Sequence, residues 1–276
     1  RRHTRLQGDW SSDVCSSDLL TTANTTKTPM TDRLTIKDQP PIIDRSRQVL
    51  YRQMVGRALF LAVSTRPDIA YAVAECARHV SNPGEIHMTA LKRIFRYLKG
   101  TPSLGLHYQP PADELLNVLN GAMDSDWAGC PDTRRSTTGN AIKLNGAAVS
   151  WRSKRQSTVA LSSAEAEYMA GSSQVQEVIA LRKLLTNLGF PQREPTLVYA
   201  DNATCISWSE GTIGGSARAK HVDLRVHFLH DAVQAGHLVL HKVDTKLNYS
   251  DILTKPTVSL DSFVLFRRQL MGSDPA

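Results

Sequence analysis

The sequence lacks an apolar run long enough to cross a membrane. A membrane-spanning helix needs roughly 18–20 consecutive apolar residues, and no stretch of the 276 residues approaches that length. The first arginines, Arg1, Arg2 and Arg5, are followed by Asp9 and Asp13 rather than by an apolar segment. Neither a secretory signal nor a transit peptide is therefore indicated, and we expect no membrane partner.

Cysteine is scarce, and its spacing argues against two common uses. Cys15, Cys76, Cys130 and Cys205 are far apart and form no C-x-x-C pair. A zinc site of the usual ligand spacing and a disulfide framework are both unexpected. The cysteine pattern instead fits a reducing, intracellular compartment.

The composition that is present suits a folded, basic protein. Hydrophobic residues make up 41% and charged residues 21% of the chain, which is enough apolar material for one large or two modest domains. The formal net charge is +7. A basic balance favours a polyanionic partner such as nucleic acid, although many mildly basic proteins bind none.

Three segments precede the part of the chain with clear strand patterns. Residues 1–41, rich in Thr, Ser and Asp, show no period, and we predict a disordered or artefactual tail there. Residues 42–108 show helical spacing of apolar residues and predict a small helical segment. Residues 109–117, which include two adjacent prolines, predict a linker.

Residues 118–273 carry the pattern of an α/β domain. Short strand-like runs punctuated by Gly139 and by Asn145-Gly146, a strong hairpin signal, predict three strands in a meander. With the elements that follow, the order predicts a five-stranded mixed sheet flanked by helices. The predicted strands cover 118–124, 138–144, 147–151, 196–200 and 237–243, and the predicted helices cover 163–188, a stretch after Asp201, 220–234 and a stretch after Asn248.

Four acidic residues fall where this layout brings chain segments together. Strand ends and helix starts meet at one edge of a parallel pair of strands. Carboxylate oxygens are hard ligands that match Mg²⁺ or Mn²⁺, and a pair of such ions can drive phosphodiester hydrolysis without a nucleophilic side chain. The four are Asp124 at the end of the first strand, Glu167 in the long helix, Asp201 at the end of the fourth strand and Asp251 at the start of the last helix.

Neighbouring residues bear on the choice of glutamate. Glu165 fits a capping box with Ser162 and so has a local duty that Glu167 lacks. Gly171 lies one helical turn after Glu167 and predicts room there for a substrate backbone. We therefore favour Glu167 over Glu165 as a ligand.

A series of short motifs runs through residues 118–270. They are Asp124-Ser125-Asp126-Trp127-Ala128-Gly129, Arg134-Arg135-Ser136-Thr137, Ser150-Trp151-Arg152-Ser153-Lys154-Arg155-Gln156, Ala160-Leu161-Ser162-Ser163-Ala164-Glu165-Ala166-Glu167-Tyr168, Tyr199-Ala200-Asp201-Asn202, Lys220-His221-Val222-Asp223 and Asp251-Ile252-Leu253-Thr254-Lys255-Pro256. Each motif alone is weak, but their order and spacing are specific. Together they resemble the ribonuclease H domain of copia-type retrotransposons.

This resemblance implies a ribonuclease H-like fold with a D-E-D-D metal site formed by Asp124, Glu167, Asp201 and Asp251. It implies two Mg²⁺ ions, with Mn²⁺ as an alternative, and an endoribonuclease that hydrolyses the RNA strand of an RNA–DNA hybrid. It also leads us to expect an intracellular protein, either in the cytoplasm within a virus-like particle or in the nucleus.

Upstream motifs resemble the end of the reverse transcriptase of the same elements. They are Gln53-Met54-Val55-Gly56, Arg66-Pro67-Asp68-Ile69-Ala70 and Arg96-Tyr97-Leu98-Lys99-Gly100-Thr101. The chain then resembles the C-terminal fragment of a Pol polyprotein, with 42–108 as the reverse-transcriptase remnant and the rest of that enzyme as an expected partner. The sequence has no two adjacent aspartates, so the polymerase's catalytic pair is missing and we expect no polymerase activity.

Phosphate contacts would position such a hybrid on the protein. The candidates are Arg134 and Arg135, after the first strand, and Arg152, Lys154 and Arg155, past the third. We expect these side chains to flank the metal site and to make binding weaken with salt.

Two further residues compete for roles in the site. Asp126 would share a strand face with Asp124, and we favour Asp124 because the strand is predicted to end there. His241 precedes Asp251, and other ribonucleases H often carry a loop histidine before the last aspartate. The run around His241 predicts a strand instead.

Two other functions remain as alternatives. One is a non-catalytic, nucleic-acid-binding remnant of a decayed retroelement, which would bind a hybrid in Mg²⁺ without cutting it. The other is a related nuclease, such as an integrase or resolvase, which would cut DNA and leave hybrids intact.

Overall fold

The structure, a computed structural model, describes residues 23–36, 40–42, 44–109, 117–211, 220–256 and 259–272, with the backbone alone over 220–226. The helices are α1 (Arg45–Ser64), α2 (Ala70–Ala77), α3 (Glu85–Lys99), α4 (Ser163–Asn187), α5 (Ala203–Glu210), α6 (Lys220–Gln234) and α7 (Leu260–Met271). The strands are β1 (Leu119–Asp126), β2 (Thr137–Leu144), β3 (Ala147–Arg155), β4 (Thr196–Ala200) and β5 (Leu238–Lys242). None of the described helices is both long and apolar enough to span a membrane.

The described strands form one mixed sheet in the order β3-β2-β1-β4-β5. The pairs β1–β2 and β2–β3 are antiparallel, whereas the pairs β1–β4 and β4–β5 are parallel. Asn145 and Gly146 both have positive φ angles, 52° and 93°, as the tight turn of the β2–β3 hairpin requires. The parallel strands need longer crossovers, and α4, α5 and α6 provide them. The prediction of a five-stranded mixed sheet flanked by helices is confirmed, in the ribonuclease H-like arrangement that the resemblance implied.

Three predicted element ends were wrong, and for the two strands the cause is pairing with a neighbouring strand that continues further. Strand β1 continues past Asp124, since Asp126 pairs with Thr137 of β2. Thr137 in turn pairs with Arg155, which extends β3. Asp251 does not start the last α-helix but lies within a short 3₁₀ helix, Tyr249–Leu253.

The sheet is covered on both faces. On one face α4 and α6 pack against larger strand residues, and Met123 and Val175 belong to this core. On the other face α7 packs against small strand residues, with Phe266 and Leu270 over Ala122. Because both faces are covered, the exposed edge at the carboxyl ends of β1 and β4 is left for the functional groups.

The helical segment packs directly onto the sheet domain. Phe263 of α7 belongs to the core formed by α1, α2 and α3. The indole Nε1 of Trp151 in β3 donates a hydrogen bond of 2.6 Å to the carbonyl of Ala62 in α1. Of the predicted linker over 109–117, residues 110–116 lie outside the described part of the chain.

Residues 23–36 are not the tail that we predicted over 1–41. Met30 and Leu34 are buried in the helical core, and Arg33 forms an ion pair of 2.7 Å with Asp126 of β1. The segment was missed because its few apolar residues are isolated among polar ones and show no period. Residues 1–22 lie outside the described residues, so the prediction for them stays a prediction.

A buried ion pair in the helical segment gives a first prediction. Both Arg66–Asp68 contacts are short, 2.9 and 2.8 Å, and Tyr97 also donates to Asp68 at 2.6 Å. Arg66→Met should lower the free energy of unfolding by about 3–5 kcal/mol, since it leaves the Asp68 charge buried without its partner. Urea unfolding measures this, and Arg47→Ala, which breaks an exposed ion pair with Glu85, should cost no more than about 1 kcal/mol. Equal losses of free energy of unfolding in Arg66→Met and Arg47→Ala would contradict the prediction.

Candidate metal centre

Three of the four predicted carboxylates meet at the edge of the sheet. Asp124, Glu167 and Asp201 each offer an oxygen atom, and these three atoms lie within 4.8 Å of one another. Asp124 lies near the end of β1, and Asp201 directly follows β4, the parallel neighbour of β1. Glu167 reaches them from α4. The grouping thus follows from the parallel β1–β4 pair and from the helix that crosses between β3 and β4.

The fourth predicted residue, Asp251, stands beside this trio rather than within it. The charges of Asp124 and Asp201 help to raise the pKa of Asp251, while its Oδ2 atom lies 2.9 Å from the Nζ atom of Lys255. The 3₁₀ helix that carries it packs closely on β2 at Gly139. A Cβ atom there would stand 2.5 Å from the Cγ2 atom of Thr254, so a larger residue would push this segment away.

Hydrogen bonds that the sequence did not reveal orient the carboxylates. The Ser125 amide donates to Glu167 Oε1 at 3.1 Å, and Thr245 donates to Asp201 at 2.8 Å. Thr254 donates to Asp124. None of these donors is marked by a local pattern, because each bond joins residues that are at least 42 positions apart.

The side chain of Gln156 links the segments that carry Asp124 and Glu167. Its side-chain nitrogen donates to Thr138 Oγ1 at 3.0 Å, to the Ala166 carbonyl at 2.9 Å and to Ser125 Oγ at 3.3 Å. It therefore ties β2, the start of α4 and the end of β1 together. The glutamine belongs to one of the matched motifs, yet its role depends on three distant segments.

The carboxylates are held in an environment that disfavours several negative charges. Burial, and then the charges of Asp124 and Asp201, raise the pKa of Glu167 well above its ordinary value. Burial also raises the pKa of Asp124, and burial together with the Asp124 charge raises the pKa of Asp251 to about 7. Such a cluster becomes stable in its ionised form when a cation joins it.

The donor set fits a hard divalent cation. Glu167 Oε2 and Asp251 Oδ1 are buried and have no hydrogen-bond partner among the described residues, which is costly unless another ligand takes them. Oxygen-only donors match Mg²⁺ or Mn²⁺ rather than a thiophilic metal. The trio, with Asp251 beside it, is thus a candidate centre for such ions.

The competing acids have other partners. Asp126 is paired with Arg33, although the reason for setting it aside, a strand ending at Asp124, was wrong. The Glu165 amide donates to Ser162 Oγ at 3.1 Å, and the Glu165 carboxylate accepts the Leu161 amide at 2.7 Å. Gly171 gives no room for substrate, because a Cβ atom there would meet Leu229 at 2.8 Å.

The predicted basic residues fall into two groups. Arg134 is exposed in the β1–β2 loop, and Arg135 is partly exposed there. Arg152 and Lys154 are exposed on β3, and Arg155 donates to the sulfur of Cys130 at 3.2 Å. Arg152, Lys154 and Arg155 line a groove of about 520 Å³ between β3 and α4.

His241 lies in β5, as its strand pattern predicted, with an exposed side chain.

Comparisons with known proteins complete this description. No protein-family model matches the chain. It is 40% identical over 208 residues to the retrovirus-related Pol polyprotein from transposon TNT 1-94 of Nicotiana tabacum, covering 75% of this chain and 15% of that protein. It is 35% identical over 260 residues to the Pol polyprotein from transposon RE2 of Arabidopsis thaliana, covering 94% of this chain and 17% of that protein.

Among solved structures, LC11-RNase H1, isolated from compost, matches 50% of this chain and 94% of its own, with 16% identity and a TM-score of 0.38. The chain spans less than a fifth of the length of the two Pol polyproteins. Within that span the match to both is extensive, so the chain belongs to the retrovirus-related Pol polyproteins of copia-type transposons.

Proposed function

We propose that the sheet domain is a ribonuclease H that hydrolyses the RNA strand of RNA–DNA hybrids. The observation that carries this proposal is the trio of buried Asp124, buried Glu167 and half-buried Asp201, with Asp251 next to it. Membership of the Pol family supports it, because a retroelement must remove RNA from hybrids. We further propose that the protein acts inside the cell, in a cytoplasmic particle or the nucleus, with the rest of a reverse transcriptase.

The residues present would hold two Mg²⁺ or Mn²⁺ ions. Asp124, Glu167 and Asp201 would bind one, and Asp251 with Asp124 would bind the other. Divalent ions held by these residues would supply an activated water molecule and stabilisation of the leaving oxygen of a phosphodiester. Thr254, Thr245 and the Ser125 amide hold the carboxylates of Asp124, Asp201 and Glu167 in place before substrate arrives, which lowers the reorganisation that binding requires.

The substrate is positioned by the chain's basic residues. The groove lined by Arg152, Lys154 and Arg155 lies along α4, the helix that also carries Glu167. A phosphate backbone in this groove would pass next to the carboxylate trio. Selection of RNA over DNA would then depend on contacts with 2′-hydroxyl groups.

A cleavage assay tests the function directly. With Mg²⁺, the protein should cut a labelled RNA strand in a hybrid and leave single-stranded RNA and DNA duplexes intact. Asp201→Asn should reduce this cleavage by about a thousandfold or more, because it removes a charged ligand. Asp231→Asn, an exposed position on α6, is the matched control and should cleave normally. Binding of the hybrid without cleavage would favour the non-catalytic alternative, and cleavage of DNA alone would favour the integrase or resolvase alternative.

The basic groove yields a separate expectation. The double variant Arg152→Ala, Lys154→Ala should raise KM for the hybrid about tenfold, leave kcat nearly unchanged and flatten the dependence of binding on salt, since two phosphate contacts are lost. Lys183→Ala, exposed in the last turns of α4, serves as the control. An unchanged salt dependence in the double variant would place the hybrid elsewhere.

A further inference from the structure

Lys255 is a basic residue beside the carboxylates, and although it stands in one of the matched motifs, no role was predicted for it. It follows Asp251 by one helical turn, and its Nζ atom lies 2.9 Å from Asp251 Oδ2. The side chains of Lys255 and Asp251 are only 28% and 14% exposed. An ion pair that is this sheltered from water is screened far less than a surface pair.

The positive charge of Lys255 acts on more than its direct partner. Burial tends to lower the pKa of Lys255, but the charges of Asp124 and Asp251 raise it above its ordinary value. The ammonium also attracts Asp124, a member of the trio. Within the part of the chain that the structure describes, Glu167 Oε2 of the trio has no hydrogen-bond partner.

We propose that Lys255 is an internal counter-ion that competes with a divalent cation for the Asp251 side of the centre. This inference rests on the proposed metal-dependent function and adds an order of loading to it. The trio would take the first cation while the contact between Lys255 and Asp251 stays in place. The second cation binds Asp251 only when the ammonium gives up its contact, so it needs a higher metal concentration.

The surrounding structure gives the displaced ammonium a place to go. A cavity of about 260 Å³ adjoins the centre, and Asp251 and Lys255 themselves form part of its wall. The hydroxyl groups of Ser259 and Ser262 also line it, and hydroxyl oxygens can accept hydrogen bonds from an ammonium. The apolar stem of Lys255 would pack along Phe263 in the same cavity.

Calorimetric titration with Mn²⁺, in the absence of nucleic acid, tests the competition. The unaltered protein should show two classes of site, and Lys255→Met should tighten the weaker class about tenfold or more, since an adjacent positive charge is lost. Lys255→Arg should behave like the unaltered protein. Lys246→Met, an exposed lysine that lines the same cavity, should change neither class. Identical isotherms for Lys255→Met and the unaltered protein would overturn the inference.

Unfolding by urea in EDTA at pH 8 tests the counter-ion without metal. In EDTA, Lys255→Met should have a lower free energy of unfolding than the unaltered protein and Lys246→Met, because the carboxylates lose their neutralising charge. Saturating Mn²⁺ should make this difference in free energy of unfolding smaller. Undiminished stability of Lys255→Met in EDTA would overturn the counter-ion role. If no variant binds Mn²⁺, the proposed function fails together with the competition. If the unaltered protein and Lys255→Met bind two ions equally well, the inference on Lys255 fails while the proposed metal-dependent function stands.

Discussion

Replacing Asp124 with asparagine should abolish hybrid cleavage and, without metal, make the protein more stable. Asp124 is only 4% exposed and belongs to the carboxylate trio. Loss of its charge removes a ligand oxygen, so we expect cleavage to fall by about a thousandfold or more. Asparagine has nearly the same shape, and its carbonyl oxygen can still accept the hydrogen bond from Thr254.

The gain in stability has a separate cause. Burial and neighbouring acids raise the pKa of Asp124, which means that the folded state disfavours its charge. A neutral amide removes that penalty, and the free energy of unfolding in EDTA should rise by about 1–3 kcal/mol. Opposite changes in activity and stability would identify a site in which function opposes folding.

Asp126→Asn is the matched control for this experiment. Asp126 occupies the same strand two residues later, but its partner is Arg33. We expect this variant to lose a little stability and to retain cleavage within about tenfold, since only a half-sheltered ion pair is broken. A reversed result, with Asp124→Asn active and Asp126→Asn inactive, would mean that the wrong aspartate of β1 was assigned.

The parts of the fold that the sequence predicted are those set by local chemistry. Asn145-Gly146 marks the β2–β3 turn because both residues accept a positive φ angle. The strand over 196–200 was predicted with its observed bounds, since a short apolar run between turn residues has few other solutions. The proximity of Asp124 and Asp201 followed from parallel strands alone.

The parts that the sequence did not predict depend on contacts between distant segments. Met30 and Leu34 are buried in a core that they share with residues of α1, α2 and α3. Lys255 and Thr254 belong to a matched motif, but their partners Asp251 and Asp124 were known only as candidates before the fold was in place. Gly171 was interpreted as an opening, yet Leu229 of α6 fills that space. Spacing along one helix cannot reveal what a second helix brings against it.

The dependence of stability on pH should reverse when metal is added. Without metal, the pKa of Asp251 is raised from its ordinary value of 3.8 to about 7 in the folded protein. Between these values the folded state holds a proton that the unfolded state has lost. The stabilising contribution of this site is therefore complete below pH 4 and is lost as the pH rises toward 7.

Asp251→Asn removes that titration. In EDTA, the free energy of unfolding of this variant should therefore exceed that of the unaltered protein by nearly nothing at pH 4 and by roughly 2–4 kcal/mol above pH 7. In saturating Mg²⁺ the trend should invert, because metal ions bind the ionised carboxylates and stabilise the folded state more strongly as the pH rises. Urea unfolding at several pH values, with EDTA or with Mg²⁺, measures how the free energy of unfolding depends on pH under both conditions. In EDTA, the difference in free energy of unfolding between Asp251→Asn and the unaltered protein could instead stay constant from pH 4 to 8. Asp251 would then titrate alike in the folded and unfolded chain, and the like-charged surroundings inferred for the metal-free centre would be wrong.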